Sequence, residues 1–372
     1  HDIGQLTTTL ASLRNIKGPK LLHVITRKGK GYRPAEEDQT VWHAPGTFDP
    51  VTGKRSIPAE PAAARYQDVF GETLLELARA DEKIVAVTPA MASGCGMNIM
   101  MREIPERTFD VGIAEQHAVT FSAGLAAAGY LPFCNIYSSF MQRAYDNVIH
   151  DVALQQLKVV FCLDRAGLVG EDGATHQGVF DMAAFRPIPG LAIASPLNEL
   201  ELRNLMYTAS RPSFHGPIII RYPRGAGEGI RWREAEPEAI PVGKGRLLHS
   251  GREIALLSIG PVGNRAAEAV AMASGRGIEV LHYDMRFLKP LDTEIMAEVC
   301  SKVRTIITVE DGTVAGGLHD AVSSYVSGHC TGLKVIGLGV PDRFIEQGSV
   351  KELRAECGFD VENIFKTICN NF

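Results

Sequence analysis

The sequence predicts an α/β protein with two parallel-sheet domains, preceded by a shorter helix-and-strand region. Two observations carry this. From Tyr66 onward, short apolar runs alternate with helix-like stretches, and each run is continuous rather than alternating, as strands covered on both faces are. The rhythm also breaks twice, at segments without any apolar period. The first, residues 44–64, carries four Pro and two Gly. The second, residues 224–243, is rich in Gly, Pro and Glu.

The elements follow in order. Residues 2–15 read as a helix with Ile3, Leu6, Leu10 and Leu13 on one face, stopped by Gly18-Pro19. Leu21–Thr26 is an apolar run bounded by turn residues, hence a buried strand. After the first break, strands are expected at 83–88, 108–112, 131–136, 157–163, 191–195 and 217–221, with helices at 68–80, 114–128, 140–150 and 199–208. After the second, strands fall at 253–258, 279–283, 305–309 and 333–338, with helices at 264–273, 293–299 and 318–326.

The 372 residues are 45% apolar, enough for two to three domains with full cores. Thirty-eight Lys and Arg against 43 Asp and Glu leave a net charge of -5, with no basic stripe for nucleic acid. No apolar run approaches the roughly 20 residues that span a bilayer. The seven cysteines are scattered and never form a C-x-x-C pair, which suits free thiols in a reducing, cytoplasmic setting.

Four strand ends carry polar residues that packing does not ask for. Asp110–Ala118 runs from a strand into a helix of small residues, with Glu115 in its first turn. The carboxyl edge of a parallel sheet is where such folds bind ligands; by itself, Glu115 also reads as a carboxylate complementing a helix N-terminus. Tyr137–Arg143 offers Phe140 as an aromatic wall for a flat heterocycle, or as a core residue of the following helix. Asp164–Gly178 is a Gly-rich loop with Arg165, Asp172 and His176, of the kind that serves function more than packing. His176 suits proton relay or donation to a substrate oxygen. Arg224 follows the last strand of the domain, and with Arg165 would suit a phosphate or carboxylate. Val309–Gly317 resembles a phosphate loop only superficially and reads as helix-terminus turn chemistry.

Together these stretches resemble one family. DVGIAEQHAVTFSAGLAAAG (110–129), YSSFMQRAYD (137–146), DRAGLVGEDGATHQGVFD (164–181), RYPRG (221–225), MRFLKPLD (285–292) and VEDGTVAGG (309–317) are similar to the 1-deoxy-D-xylulose-5-phosphate synthases, a transketolase-like family. KGKGYRP (28–34) and the pieces Trp42-His43 and Phe48-Asp49-Pro50 match as well. The resemblance covers essentially the whole chain. It implies the tail of a diphosphate-binding α/β domain at 1–50, a linker at 51–64, a pyrimidine-binding transketolase-like domain at 65–228 and a transketolase C-terminal domain at 242–372.

The resemblance implies thiamine diphosphate as cofactor, with Mg²⁺ and the diphosphate held by a Gly-Asp-Gly…Asn motif that these residues lack, so no metal ligand is expected within them. Pyruvate and D-glyceraldehyde 3-phosphate are the implied substrates, and a homodimer the implied assembly. Glu115 would activate the cofactor through its pyrimidine, Phe140 would stack on that ring, and Ile113 would join the cofactor contacts. Tyr137, Arg143, Asp172 and His176 match positions near the reacting carbon, with His176 also catalytic. Arg165 and Arg224 would grip the phosphate, and His1 matches a substrate-side histidine. Cys95 departs from the pattern, where Ser or Thr is expected. The alternatives are the β subunit of a 2-oxo-acid dehydrogenase's first component, transketolase itself, or a non-catalytic module that keeps the fold.

Overall fold

The structure is a computed structural model and describes residues 1–43, 45–55 and 63–372. The chain divides into two compact units, His1–Glu60 and Pro61–Phe372. Much of the expected linker, residues 56–62, lies outside the described residues.

In the first unit, the helix Ile3–Leu13 starts at Asp2, whose Oδ1 accepts from the Gln5 N–H at 2.9 Å. The expected strand at Leu21–Thr26 does not form. That segment is irregular and Leu21 is 95% exposed. An apolar run becomes a strand only beside partners, and among the described residues of this unit none pairs with it. The unit's apolar contacts centre on Tyr32, Trp42 and Phe48, whose ring centroids lie 5.0 to 5.9 Å apart.

The second unit holds two sheets. The first contains β1 (Ile84–Thr88), β2 (Thr108–Asp110), β3 (Leu131–Tyr137), β4 (Val160–Asp164), β5 (Ala192–Ala194) and β6 (Ile218–Arg221), all parallel. The second contains β7 (Arg246–His249), β8 (Ile254–Ile259), β9 (Val280–Asp284), β11 (Thr305–Thr313) and β12 (Lys334–Val340). Between β9 and β11 the chain crosses back, and β10 (Phe287–Lys289) pairs antiparallel with β5. The orders are β10-β5-β6-β4-β3-β1-β2 and β12-β11-β8-β9-β7. The central strands β1, β3, β4, β6 and β8 are buried along their whole length, which explains their continuous apolar sequences.

β7 pairs antiparallel with β9, at the edge of the second sheet. Neither β7 nor β10 announces itself, since RLLH and FLK are too short to carry a period. The expected helix at 140–150 is also broken: an α turn Ser138–Met141, a 3₁₀ turn Gln142–Ala144, an α turn Tyr145–Asn147 and a π stretch Val148–Ala153.

The two sheets are joined by buried charge. Arg221, at the end of β6, is 2% exposed; its Nε lies 2.7 Å from Asp181 Oδ2, and its Nη2 donates to the Asp311 carbonyl on β11 at 2.9 Å. Arg286 Nε donates to Glu201 Oε1 at 2.7 Å from beside β10.

Candidate active site

All parallel strands of the first sheet point one way, so their carboxyl ends share an edge. Glu115 follows β2, Phe140 and Arg143 follow β3, Arg165 to His176 follow β4, and Arg224 follows β6.

Glu115 opens the helix Glu115–Ala127. Ala118, Val119, Ser122 and Ala123 bury one face of this helix, and their small side chains let it lie close to β3. Glu115 is thereby 3% exposed. A buried carboxylate needs a partner, and Arg143 supplies it, with Nη1 2.6 Å from Oε1. The Arg143 guanidinium also lies 5.2 Å from the centre of the Phe140 ring, so Glu115 and Phe140 flank one group. Phe140 stacks on Tyr137 at 5.5 Å and meets His176 edge-on at 5.5 Å. Ile113, just before Glu115, is 83% exposed.

Arg165 adopts a left-handed backbone, φ 60°, which a non-glycine residue holds only when its surroundings demand it. Its guanidinium lies 4.0 Å from the Tyr137 ring centre. Asp172 Oδ2 sits 3.6 Å from Arg165 Nη1 and 3.1 Å from Arg224 Nη1. The two arginines therefore meet on one carboxylate at the end of the loop. His176 Nδ1 is 2.8 Å from the Thr175 hydroxyl. His1 belongs to the first unit, where its Nε2 accepts from the Arg27 N–H at 2.7 Å. Cys95 is fully buried, with Thr88 Oγ1 3.9 Å from its Sγ, and burial pushes its thiol up to about 12.

Behind the arginines lies a group to which sequence reasoning assigned no role. Asp164 ends β4, is 2% exposed, and its Oδ2 has no hydrogen-bond partner among the described residues. Burial pushes its carboxyl up to about 7, while Arg165 and Arg224 pull the other way. An aspartate closing an otherwise apolar strand was the available signal. Glu310, on β11, accepts from the Leu318 and His319 N–H groups at 2.8 and 2.9 Å, which is the helix-terminus chemistry expected of Val309–Gly317.

A buried carboxylate, an aromatic face within reach of the same guanidinium, and two convergent arginines define one edge. The comparisons with known proteins bear on the same stretch. Residues 62–228 match the family "Transketolase, pyrimidine binding domain" and residues 243–364 match "Transketolase, C-terminal domain". The 1-deoxy-D-xylulose-5-phosphate synthase of Bacteroides thetaiotaomicron is 57% identical over 370 residues, covering 99% of this chain and 57% of that protein. The chain belongs to the 1-deoxy-D-xylulose-5-phosphate synthase family of transketolase-like proteins. The synthase of Chlorobaculum tepidum, 50% identical, covers 98% of the chain and likewise 57% of its own length. The chain thus spans somewhat more than half of these curated relatives. Among solved structures, a split-gene transketolase described as an inactive β4 tetramer superposes with a TM-score of 0.73 at 26% identity, covering 83% of this chain and 98% of that one. A Leishmania mexicana transketolase, at 18% identity and a TM-score of 0.68, shares the fold.

The edge fits the aminopyrimidine that the family implies. Glu115, Phe140 and Ile113 bring a buried carboxyl, an aromatic ring and an exposed aliphatic side chain to that edge.

Proposed function

We propose that this chain supplies the pyrimidine side of a 1-deoxy-D-xylulose-5-phosphate synthase site, in a protein that joins pyruvate to D-glyceraldehyde 3-phosphate with loss of CO₂. The observation that carries the reading is the buried Glu115 carboxylate beside Phe140, one guanidinium away from it. Thiamine diphosphate, when bound, supplies an acidic thiazolium carbon and an aminopyrimidine that serves as its base. Glu115 would hydrogen-bond the pyrimidine nitrogen, and the ring of Phe140 would fix the plane. Arg165 and Arg224 release Asp172 and take the substrate phosphate, and His176 orients or protonates a substrate oxygen beside Phe140. Tyr137, under the Arg165 guanidinium, and Arg143 line the reacting end.

We place the diphosphate and Mg²⁺ on a region of Gly-Asp-Gly…Asn type outside these residues. Free thiols support a cytoplasmic location, and the small-residue helix after Glu115 supports a homodimer; no described helix is long and apolar enough to cross a membrane. Residues 65–228 and 242–372 are read as the two domains, each with its own sheet.

The test uses a full-length protein containing this chain. Glu115→Gln is expected to lower deoxyxylulose phosphate formation by about 10²- to 10⁴-fold, the range of a lost acid–base group. Unchanged turnover refutes the role of Glu115. Acyl transfer to lipoamide by the wild type, with no deoxyxylulose phosphate, assigns the chain to the dehydrogenase reading instead.

A further inference from the structure

The loop that carries Asp172 and His176 is rich in glycine, yet several bonds fix it in place. At its neck, the Gly167 N–H donates to the Gly178 carbonyl at 2.7 Å, and the Gly178 N–H donates back to Gly167 at 2.8 Å. Beyond the neck, the bonds come from the second sheet. Asp311 Oδ1 on β11 accepts from the Leu168 N–H at 2.9 Å. Its other oxygen receives Arg354 Nη2 at 2.9 Å, and its backbone carbonyl receives Arg221. Gln177 is 4% exposed and works in both directions: Oε1 accepts from the Val169 N–H at 2.8 Å, and Nε2 donates to the Glu346 carbonyl at 3.2 Å. Approach is close enough that a Cβ on Gly167 would lie 2.5 Å from the Asp311 carboxyl, and one on Gly170 3.1 Å from the Gly348 carbonyl.

We propose that Asp311 and Gln177 are positioning residues, through which the second sheet and the Glu346–Gly348 segment hold Asp172 and His176 at the substrate side of the site. This rests on the reading of those two residues as substrate-facing. The physical need is plain. A loop with four glycines in Gly167–Gly178 has many backbone states, and a substrate that had to select one of them would bind weakly. Two side chains that each satisfy buried groups remove that freedom beforehand. Neither touches substrate, and both act through the backbone of Leu168 and Val169. The second sheet thereby takes a part in positioning the substrate side of the site.

Two variants of a full-length protein containing this chain test it. Asp311→Asn keeps an oxygen for Leu168 but removes the charge that orders Arg354. Gln177→Glu keeps the acceptor for Val169 and turns the donor into an oxygen facing the Glu346 carbonyl, leaving the charge cluster intact, so it decides the matter if Asp311→Asn fails to fold. Amide hydrogen exchange, with thiamine diphosphate bound and no substrate, is expected to quicken at least tenfold at Leu168 and Val169. The KM for glyceraldehyde phosphate is expected to rise about tenfold, with a smaller change in kcat and cofactor affinity held within twofold. Wild-type exchange rates in a folded variant overturn the tie, and faster exchange with unchanged KM overturns the positioning role. If the wild type forms no deoxyxylulose phosphate, the functional reading fails on its own, and the exchange comparison still decides whether the second sheet holds the loop.

Discussion

Replacing Arg221 with Met should destabilise the second unit by about 3–5 kcal/mol, the cost of stranding one charge of a buried pair. The structure gives the reason for the size. Asp181 is 3% exposed, and among the described residues Arg221 is its only oppositely charged partner, 2.7 Å away; its carboxyl also accepts from the Met182 N–H. Met fills most of the arginine's volume, so a cavity contributes little and the stranded carboxylate dominates. The Asp311 carbonyl also loses a donor, which adds about 1 kcal/mol. The double variant Arg221→Met with Asp181→Leu removes both charges, so most of the loss should return, leaving about 1–2 kcal/mol. Equilibrium urea unfolding of wild type, both single variants and the double variant gives the four values of the cycle. A loss below about 1 kcal/mol in Arg221→Met, or a double variant no more stable than that single one, refutes the reasoning.

Three further outcomes are expected. Asp164 has its pKa raised to about 7 from 3.8, so the folded state binds the extra proton and stability falls as pH rises between those values; Asp164→Asn should match wild type near pH 4 and exceed it at pH 8, and a variant no more stable at pH 8 contradicts this. Glu310, pushed up to about 8 by burial, adds a slope of the same sign, so each variant is measured against wild type at the same pH. Cys95, Cys134 and Cys162 are buried, so a thiol reagent should label at most Cys300, Cys330, Cys357 and Cys369 in the native protein and all seven in denaturant, as intact-mass spectrometry would count. A Cβ on Gly178 would lie 2.2 Å from the Arg165 carbonyl, so Gly178→Ala should open the loop's neck and raise the KM for glyceraldehyde phosphate at least tenfold, checked by steady-state kinetics.

The sheet order's central strands were legible because each is buried on both faces and therefore apolar throughout. Leu21–Thr26 shows the limit of that rule, since apolar character without a neighbouring strand makes no sheet. β10 escaped because its partner β5 lies far away in sequence, and pairing at that distance leaves no local period. At the site, Glu115, Phe140, Arg165 and Arg224 could be named because each follows an apolar run at a strand end. What sequence could not give was which of them already hold each other. The Glu115–Arg143 pair joins positions 28 residues apart, and the meeting of Arg165 and Arg224 on Asp172 depends on the folded loop. Asp311 and Gln177 were illegible for the same reason: their bonds join the loop after β4 to positions 143 and 169 residues away.

The return of β10 to the first sheet bears on how the protein is made. During synthesis, β1 to β6 leave the ribosome before Phe287 does, so the edge of β5 waits unpaired while the beginning of the second sheet is translated. An open edge of that kind recruits other chains. A nascent chain stalled before Phe287 would carry six strands and a sticky border, whereas one extended past Lys289 seals that border with its own backbone. Expression of the first sheet alone leaves that border open, and a chain ending at Lys289 would in turn leave β8 without β11, so a soluble piece should carry both sheets.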